Sequence, residues 1–182
     1  MSNKKYDVRH KYDSTANRYD ARYRDIQKQK YFEIFSEIEM VKNGTIIDVG
    51  GGTGLFLDYL QNKNFTIVIT DISFEMLKEG RKKYLHGFFI CADSEYLPLR
   101  KSSGDLVTCI SVIQNLESPQ KTLEECYFIV KKKKLFVLTA LKKLFDLEKL
   151  AKKVEKIGFN VNKTWLLSIE DLTIVARKEE RN

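Results

Sequence analysis

The sequence predicts an α/β fold: a mostly parallel seven-stranded sheet with helices on both faces and an antiparallel hairpin at its C-terminal end. Three observations predict it. Apolar β-type runs alternate with segments of helical period. One such run, residues 45–49, passes directly into Gly50, Gly51, Gly52 and Gly54 and then into a segment that can open a helix. The last two β-type runs are separated only by residues 168–171, too few for a parallel crossover.

The elements follow in order. Residues 1–27 are rich in Tyr, Asp, Arg and Lys and show no clean apolar period, whereas Tyr31, Phe35, Ile38 and Val41 recur at helical spacing. A helix is therefore expected over about 28–41, closed by Asn43 and Gly44. The first strand is 45–49, and Leu55 to Leu60 can open a helix behind the glycine loop. A continuous β-forming run, 65–70, ends at Asp71. Ser73 caps the next helix, which reaches about Tyr84, with Glu75 in its first turn where the helix dipole favours a negative charge. Strands are read at 87–92 and 106–110, the second after Gly104. Ser118 and Pro119 form a cap and first-position pair for a helix ending near Val130. The run 135–140 is apolar on both faces, as a central strand should be. Leu147, Leu150, Ala151, Val154 and Ile157 define a helix that Gly158 terminates, and strands at 159–167 and 172–176 complete the sheet.

At 182 residues the chain reads as one domain. Its 43% hydrophobic and 31% charged content is that of a soluble globular protein, and no apolar run nears the roughly 20 residues of a membrane span. No signal-peptide core opens the chain. Cys91, Cys109 and Cys126 lack the spacing of a disulfide framework or a metal site, so reduced thiols, a cytoplasmic location and no metal are expected. The net charge of +7 is uneven: residues 1–30 carry +5 and residues 131–156 carry +7 on an otherwise mildly acidic body.

The glycine loop makes specific demands. Asp48 ends a strand beside it, where its carboxylate can accept hydrogen bonds near a ligand. Gly50, Gly52 and Gly54 allow a sharp turn and a close backbone approach, and the helix behind offers free N–H groups. A dinucleotide fingerprint begun at Gly50 requires glycine at 55, where Leu55 stands, leaving a nicotinamide cofactor a distant alternative. Asp71, 23 residues after Asp48, is placed to accept from both hydroxyls of a ribose. Ile72 can lie against an adenine face, with Met76 one turn further on.

The loop Asp48-x-Gly50-x-Gly52-x-Gly54 resembles that of class I S-adenosylmethionine (SAM)-dependent methyltransferases, within them the methyltransferase 11 or UbiE-like group. The likeness extends over about residues 6–140. Tyr12-Asp13, Ala16 and Tyr19-Asp20 are similar to that group's N-terminal segment. Asp71-Ile72-Ser73 with Met76-Leu77, the run from Ala92 to Pro98, and Gly104 to Val107 are similar to its later motifs. The resemblance implies a Rossmann-like fold with residues 1–41 as a cap on the substrate side of a core, 42–182. It implies SAM as cofactor, leaving as S-adenosylhomocysteine, and cofactor contacts from Tyr12, Asp48, Gly50, Gly51, Gly52, Gly54, Asp71, Ile72, Met76, Asp93 and Ser94, with Asp93 on the adenine amino group. The segment Ser111 to Leu116 aligns with one that faces the methyl group; the histidines usual there are Gln114 and Asn115, which cannot act as general bases. Gln114, Asn115 and Tyr19 are then the residues expected to position the acceptor, with Tyr96 a further candidate, and an acceptor that is nucleophilic without deprotonation is expected. His10 and His86 are read as structural or surface residues.

Three readings of the partner follow. Tyr6, Tyr12, Tyr19 and Tyr23 interleave with Arg9, Arg18, Arg22 and Arg24, a pattern suited to stacking on unpaired bases while cations meet phosphates, so RNA (tRNA or rRNA) is the expected acceptor. The lysines at 131–134 and at 142–143 add charge but flank the fifth strand at opposite ends, so they cannot line one groove. A small molecule such as a quinone precursor is the alternative, and a non-catalytic partner subunit the third reading. An activator subunit is also possible by analogy with tRNA-modifying relatives.

Overall fold

The computed structural model describes residues 3–40, 42–60 and 65–179. Its elements are α1 (Asn3–Phe35), β1 (Gly44–Val49), α2 (Phe56–Tyr59), β2 (Phe65–Asp71), α3 (Phe74–Lys83), β3 (Gly87–Cys91), β4 (Gly104–Ile110), α4 (Pro119–Ile129), β5 (Val130–Leu141), α5 (Leu147–Ile157), β6 (Phe159–Leu166) and β7 (Asp171–Lys178). They build one seven-stranded sheet in the order β3-β2-β1-β4-β5-β7-β6. The first five strands in that order run parallel, and β7 pairs antiparallel with both β5 and β6. The order reverses between β1 and β4, which opens a crevice at the carboxyl ends of these strands.

Alternation along the strands divides the core into two layers. Ile47, Val107, Phe136 and Ile174 turn to one face, where Leu123 and Cys126 of α4 and Leu150 and Val154 of α5 cover them. Their neighbours Ile46, Leu106, Val137 and Val175 turn to the other, beneath Ile34 and Phe35 of α1, Phe56 of α2 and Leu77 of α3. Caps fix the helix starts: Met76 N donates to Ser73 Oγ at 3.2 Å, and Lys149 N to Asp146 Oδ1 at 2.9 Å. Gly158 ends α5 at φ 121°. Ser118 precedes Pro119 as expected, but its hydroxyl makes no capping bond.

The N-terminal region departs from the sequence expectation. Residues 3–35 form one continuous 33-residue helix, which begins far ahead of position 28 and stops before Ile38; Val41 lies outside the described residues. The apolar period is missing because the first 30 residues are held by polar contacts. Asp13 Oδ1 accepts from Ser73 Oγ at 2.6 Å and from Glu75 N at 3.2 Å at the start of α3. Asp20 Oδ1 accepts from Thr53 Oγ1 at 2.5 Å, and Arg24 pairs with Asp58 at 2.5 Å. β5 also starts earlier than expected, at Val130, because Val130 pairs with Gly104 across an irregularity in the ladder that takes in the lysines at 131–134. The segment Leu55 to Leu60 carries a short helix, Phe56–Tyr59. Among the described residues no helix is long and apolar enough to cross a membrane.

Near its C-terminal end α1 is anchored by a buried ion pair. Lys30 is 5% exposed and Asp171 1%. The Lys30 ammonium meets Asp171 Oδ2 directly and donates to Ser111 Oγ at 2.5 Å, and Ser111 Oγ donates to the same carboxylate at 2.9 Å. Removing one member of such a pair strands the other charge away from water. Lys30→Ala should therefore cost about 3–5 kcal/mol in urea unfolding, and a Lys30→Met/Asp171→Asn double variant should cost less than the single change.

Candidate cofactor and acceptor site

Three cavities adjoin beneath α1 at the carboxyl ends of β1, β2 and β4. The first lies between Lys5, Tyr12 and Tyr19 of α1, Gly50 and Gly52 of the glycine loop, and Asp71, Ile72, Met76, Asp93 and Ser94, with Ile110, Val112 and Asn115 closing it. The second, of about 1100 Å³, runs along α1 past Lys11, Arg18, Arg22 and Gln27 towards Gln114 and Asp171. The third lies behind the glycine loop, between Gln27, Tyr31, Asp48, Gly51 and Thr53. Tyr12, Tyr19, Ser111 and Asn115 belong to both the first and the second; Tyr19, Gly50 and Ile110 to both the first and the third.

The glycine loop is tied to the sheet by its own backbone. Gly50 N and Gly51 N both donate to Thr70 O, at 2.7 and 3.0 Å, and Gly52 N donates to Asp71 Oδ2 at 2.9 Å. Gly50 sits at φ 71°, and a Cβ there would stand 2.4 Å from Val112 Cγ2. Any side chain at 50 is excluded by both backbone and space. At Gly51 the crowding comes from Asp48, whose Oδ2 would lie 2.4 Å from an added Cβ.

Two carboxylates face this loop. Asp48 is buried, and Thr108 Oγ1 donates to its Oδ1 at 2.7 Å. Burial pushes its carboxyl up to about 7 against that hydrogen bond, and the neighbouring charge of Asp71 adds to the rise. Asp71 is pushed up to about 6, again chiefly by burial, although it accepts from Ser73 N at 2.8 Å and from Gly52 N. Asp93 is engaged differently. The Lys5 ammonium lies 2.7 Å from its Oδ2 and 2.8 Å from Glu95 Oε2, so α1 reaches across the cavity to this acidic pair.

The expected site residues thus converge, with distinctions. Tyr12, Tyr19, Gly50, Gly52, Asp71, Ile72, Met76, Asp93, Ser94 and Asn115 line the first cavity, while Asp48 and Gly51 line the third. Gly54 lines none; its Cα faces Leu57 and Phe89. Gln114 lines only the second cavity, where its Nε2 donates to Ser111 O at 2.8 Å. Asn115 Nδ2 donates to the Tyr12 hydroxyl at 3.3 Å. Tyr96 stands outside all three, exposed beneath Lys121. His10 and His86 are exposed and line none of them. Sequence reasoning missed Lys5 and Gln27. The clue was the seven-residue repeat of Lys5, Tyr12 and Tyr19, which puts them on one helical face, with Asp13 and Asp20 repeating beside it.

Residues 47–138, half of the chain, match the methyltransferase 11 family model, a methyltransferase domain. The chain belongs to this family of class I SAM-dependent methyltransferases, and SAM is the cofactor of its domain. It is 34% identical over 137 residues to the ubiquinone/menaquinone biosynthesis C-methyltransferase UbiE of Wigglesworthia glossinidia brevipalpis, covering 67% of this chain and 55% of that protein. With the malonyl-[acyl-carrier protein] O-methyltransferase of Hamiltonella defensa identity is 26% over 147 residues, 81% of this chain and 57% of that protein. The chain spans about half the length of the curated relatives it matches. In fold it is similar to magnesium protoporphyrin IX methyltransferase from Synechocystis with bound SAM (TM-score 0.82, 18% identity, 98% and 99% of the two chains covered). It is also similar to a Haloferax volcanii methyltransferase solved with the Trm112 activator (TM-score 0.84, 17% identity, 93% and 98% covered).

A carboxyl whose folded value lies above its unfolded one stabilises the fold below the unfolded value and loses that contribution as pH rises through the folded one. For Asp48 the window runs from the ordinary aspartate value, 3.8, to about 7. The ligand-free protein should therefore lose stability between about pH 4 and about pH 7, and Asp48→Asn should lose less, by the order of 1–4 kcal/mol, in denaturant titrations at the two pH values.

Proposed function

We propose that this chain transfers the methyl group of SAM to an acceptor that carries an anionic portion and an N–H or O–H group, bound in the large cavity along α1. One observation carries this: the cavity beside the glycine loop and the cavity along α1 share the wall formed by Tyr12, Tyr19, Ser111 and Asn115. In this reading, the helix formed by residues 3–35 caps the site, Asp71 accepts from the ribose hydroxyls, Ile72 and Met76 pack on the adenine, and Asp93 and Ser94 hold its edge. Gly50 and Gly52 let the backbone come close, and Asp48 and Gly51 serve the methionyl end.

When bound, SAM supplies a methyl group already activated on a sulfonium, so the residues around it must align and desolvate rather than deprotonate. They suit that task. Burial raises both tyrosine hydroxyls, Tyr12 and Tyr19, above their ordinary range, which keeps them protonated. The Asn115–Tyr12 hydrogen bond fixes the wall they form. Gln114 has its amide orientation set by Ser111, and its Oε1 is buried without a hydrogen-bond partner, so it offers an acceptor to a donor on the bound molecule. Lys11, Arg18 and Arg22 supply the complement to an anion. The acceptor atom must bring its own lone pair.

A volume of about 1100 Å³ lies at the upper end of small-molecule sites, and the names of the curated relatives point the same way. A second reading, an RNA nucleobase in tRNA or rRNA, is favoured by Arg22 stacked 5.1 Å over the Tyr23 ring at the mouth of the same cavity. The lysines at 131–134 give it no support, since they lie at the amino end of β5 with Lys131 and Lys134 turned to Asp105. A partner subunit belongs to the proposal as well, on the strength of the shared fold with the methyltransferase solved with Trm112. So does a cytoplasmic setting, supported by three free thiols.

Labelled SAM incubated with total RNA or with a small-metabolite extract decides the acceptor. Label in the metabolite fraction is expected, label in RNA selects the second reading, and label in neither overturns the activity. Asp71→Ala should weaken SAM binding in calorimetry by about 1–3 kcal/mol. Arg18→Glu/Arg22→Glu should raise KM for the acceptor about tenfold or more and leave the SAM affinity unchanged.

A further inference from the structure

Three buried side-chain oxygens among the described residues have no hydrogen-bond partner: Gln27 Oε1, Gln114 Oε1 and Thr173 Oγ1. Gln27 is set apart by its position. It projects from α1 into the junction of the second and third cavities, with its side chain beside the Tyr19 hydroxyl. The third cavity is rich in acceptors and poor in donors. Its lining is Tyr19, Gln27, Tyr31, Asp48, Gly50, Gly51, Thr53, Leu55 and Ile110, a set with no lysine, arginine or histidine. Asp48 takes one hydrogen bond there, from Thr108, and Thr53 spends its hydroxyl on Asp20. An unmade bond to a buried carbonyl and an underserved buried carboxylate both cost free energy, and one ligand group offsets both: a cation with several N–H donors.

We infer that Gln27 Oε1, with Asp48, receives the α-ammonium of the SAM methionyl group, which makes Gln27 a cofactor-binding residue contributed by the capping helix. This rests on the reading of the chain as a SAM-binding methyltransferase. It adds a side-chain acceptor from α1 beside the glycine loop, whose Gly50, Gly51 and Gly52 N–H groups are taken up by Thr70 O and Asp71 Oδ2. The ammonium would sit between a strand end and α1, so the methionyl end of the cofactor would help hold the helix in place.

The test uses two ligands of the whole protein, titrated calorimetrically. S-adenosylhomocysteine carries the amino-acid end; 5′-methylthioadenosine shares the nucleoside and lacks that end. Gln27→Met keeps the length and removes the carbonyl, while Gln27→Glu keeps an acceptor and adds charge. Gln27→Met should bind S-adenosylhomocysteine about tenfold more weakly and methylthioadenosine as before, and Gln27→Glu should bind S-adenosylhomocysteine at least as tightly as the parent. An equal loss for both ligands would assign Gln27 a packing role and overturn the inference, as would an undiminished affinity for S-adenosylhomocysteine. Should Gln27→Met fail to fold, a tenfold loss of S-adenosylhomocysteine in Gln27→Glu overturns it, and retained or tighter binding supports it. Failure of the parent to bind either ligand would instead strike at the SAM reading itself.

Discussion

The position of α1 over the site depends on the pairing of Lys30 with Asp171. The two charges are almost wholly removed from water, and they persist there only because each satisfies the other and Ser111 joins them. Ser111 is itself held in a left-handed conformation, φ 59°, with its N–H donating to Thr139 Oγ1 at 2.9 Å. The loop after β4 carries Gln114 and Asn115, and it is thereby locked to the same point as the helix that faces it. Three parts of the chain, α1, the β4 loop and the hairpin of β6 and β7, meet in one charge-satisfied knot, and the wall shared by the two larger cavities is built around it.

The sheet was legible because strands obey a period that apolar residues report directly. Ile46 and Ile47, or Phe136 and Val137, are buried on opposite faces, so each run reads as a continuous apolar stretch. Asp71 and Ser73 were legible for another reason: a strand end and a helix cap each demand a small set of residue types. The long helix was not legible, because its docking rests on Asp13, Asp20, Arg24 and Lys30, whose burial and partners lie far away in sequence. Charge counts failed for the same reason. The lysines at 131–134 and the arginines of α1 look alike in composition, but Lys131 neutralises Asp105 at the amino end of the sheet, and Arg18 and Arg22 line the cavity at the other.

The electrostatic character of the site changes from one cavity to the next. Behind the glycine loop, carboxylate and carbonyl oxygens dominate. In the first cavity two carboxylates, Asp71 and Asp93, are present, and the Lys5 ammonium pairs with Asp93. Along α1 the balance turns positive, with Lys11, Arg18 and Arg22 against the acidic pair Glu170 and Asp171, of which Asp171 is consumed by Lys30. Such a gradient sorts ligands by charge as well as shape: a molecule with a cationic end and hydroxyls suits the inner cavities, and one with an anionic end suits the outer.

The residues that shape the large cavity along α1 lie largely before and after the stretch 47–138 that carries the family pattern. Helix and hairpin are bound to each other through Lys30 and Asp171, so they form a paired module laid over a common cofactor platform. An engineer who wished to graft a new acceptor preference onto this scaffold would have to transplant both elements together. Moving the helix alone would leave Asp171 facing whatever residue replaced its lysine, and moving the hairpin alone would bury Lys30 without its anion. α1 and the β6–β7 hairpin therefore act as one unit, distant in sequence and inseparable in space.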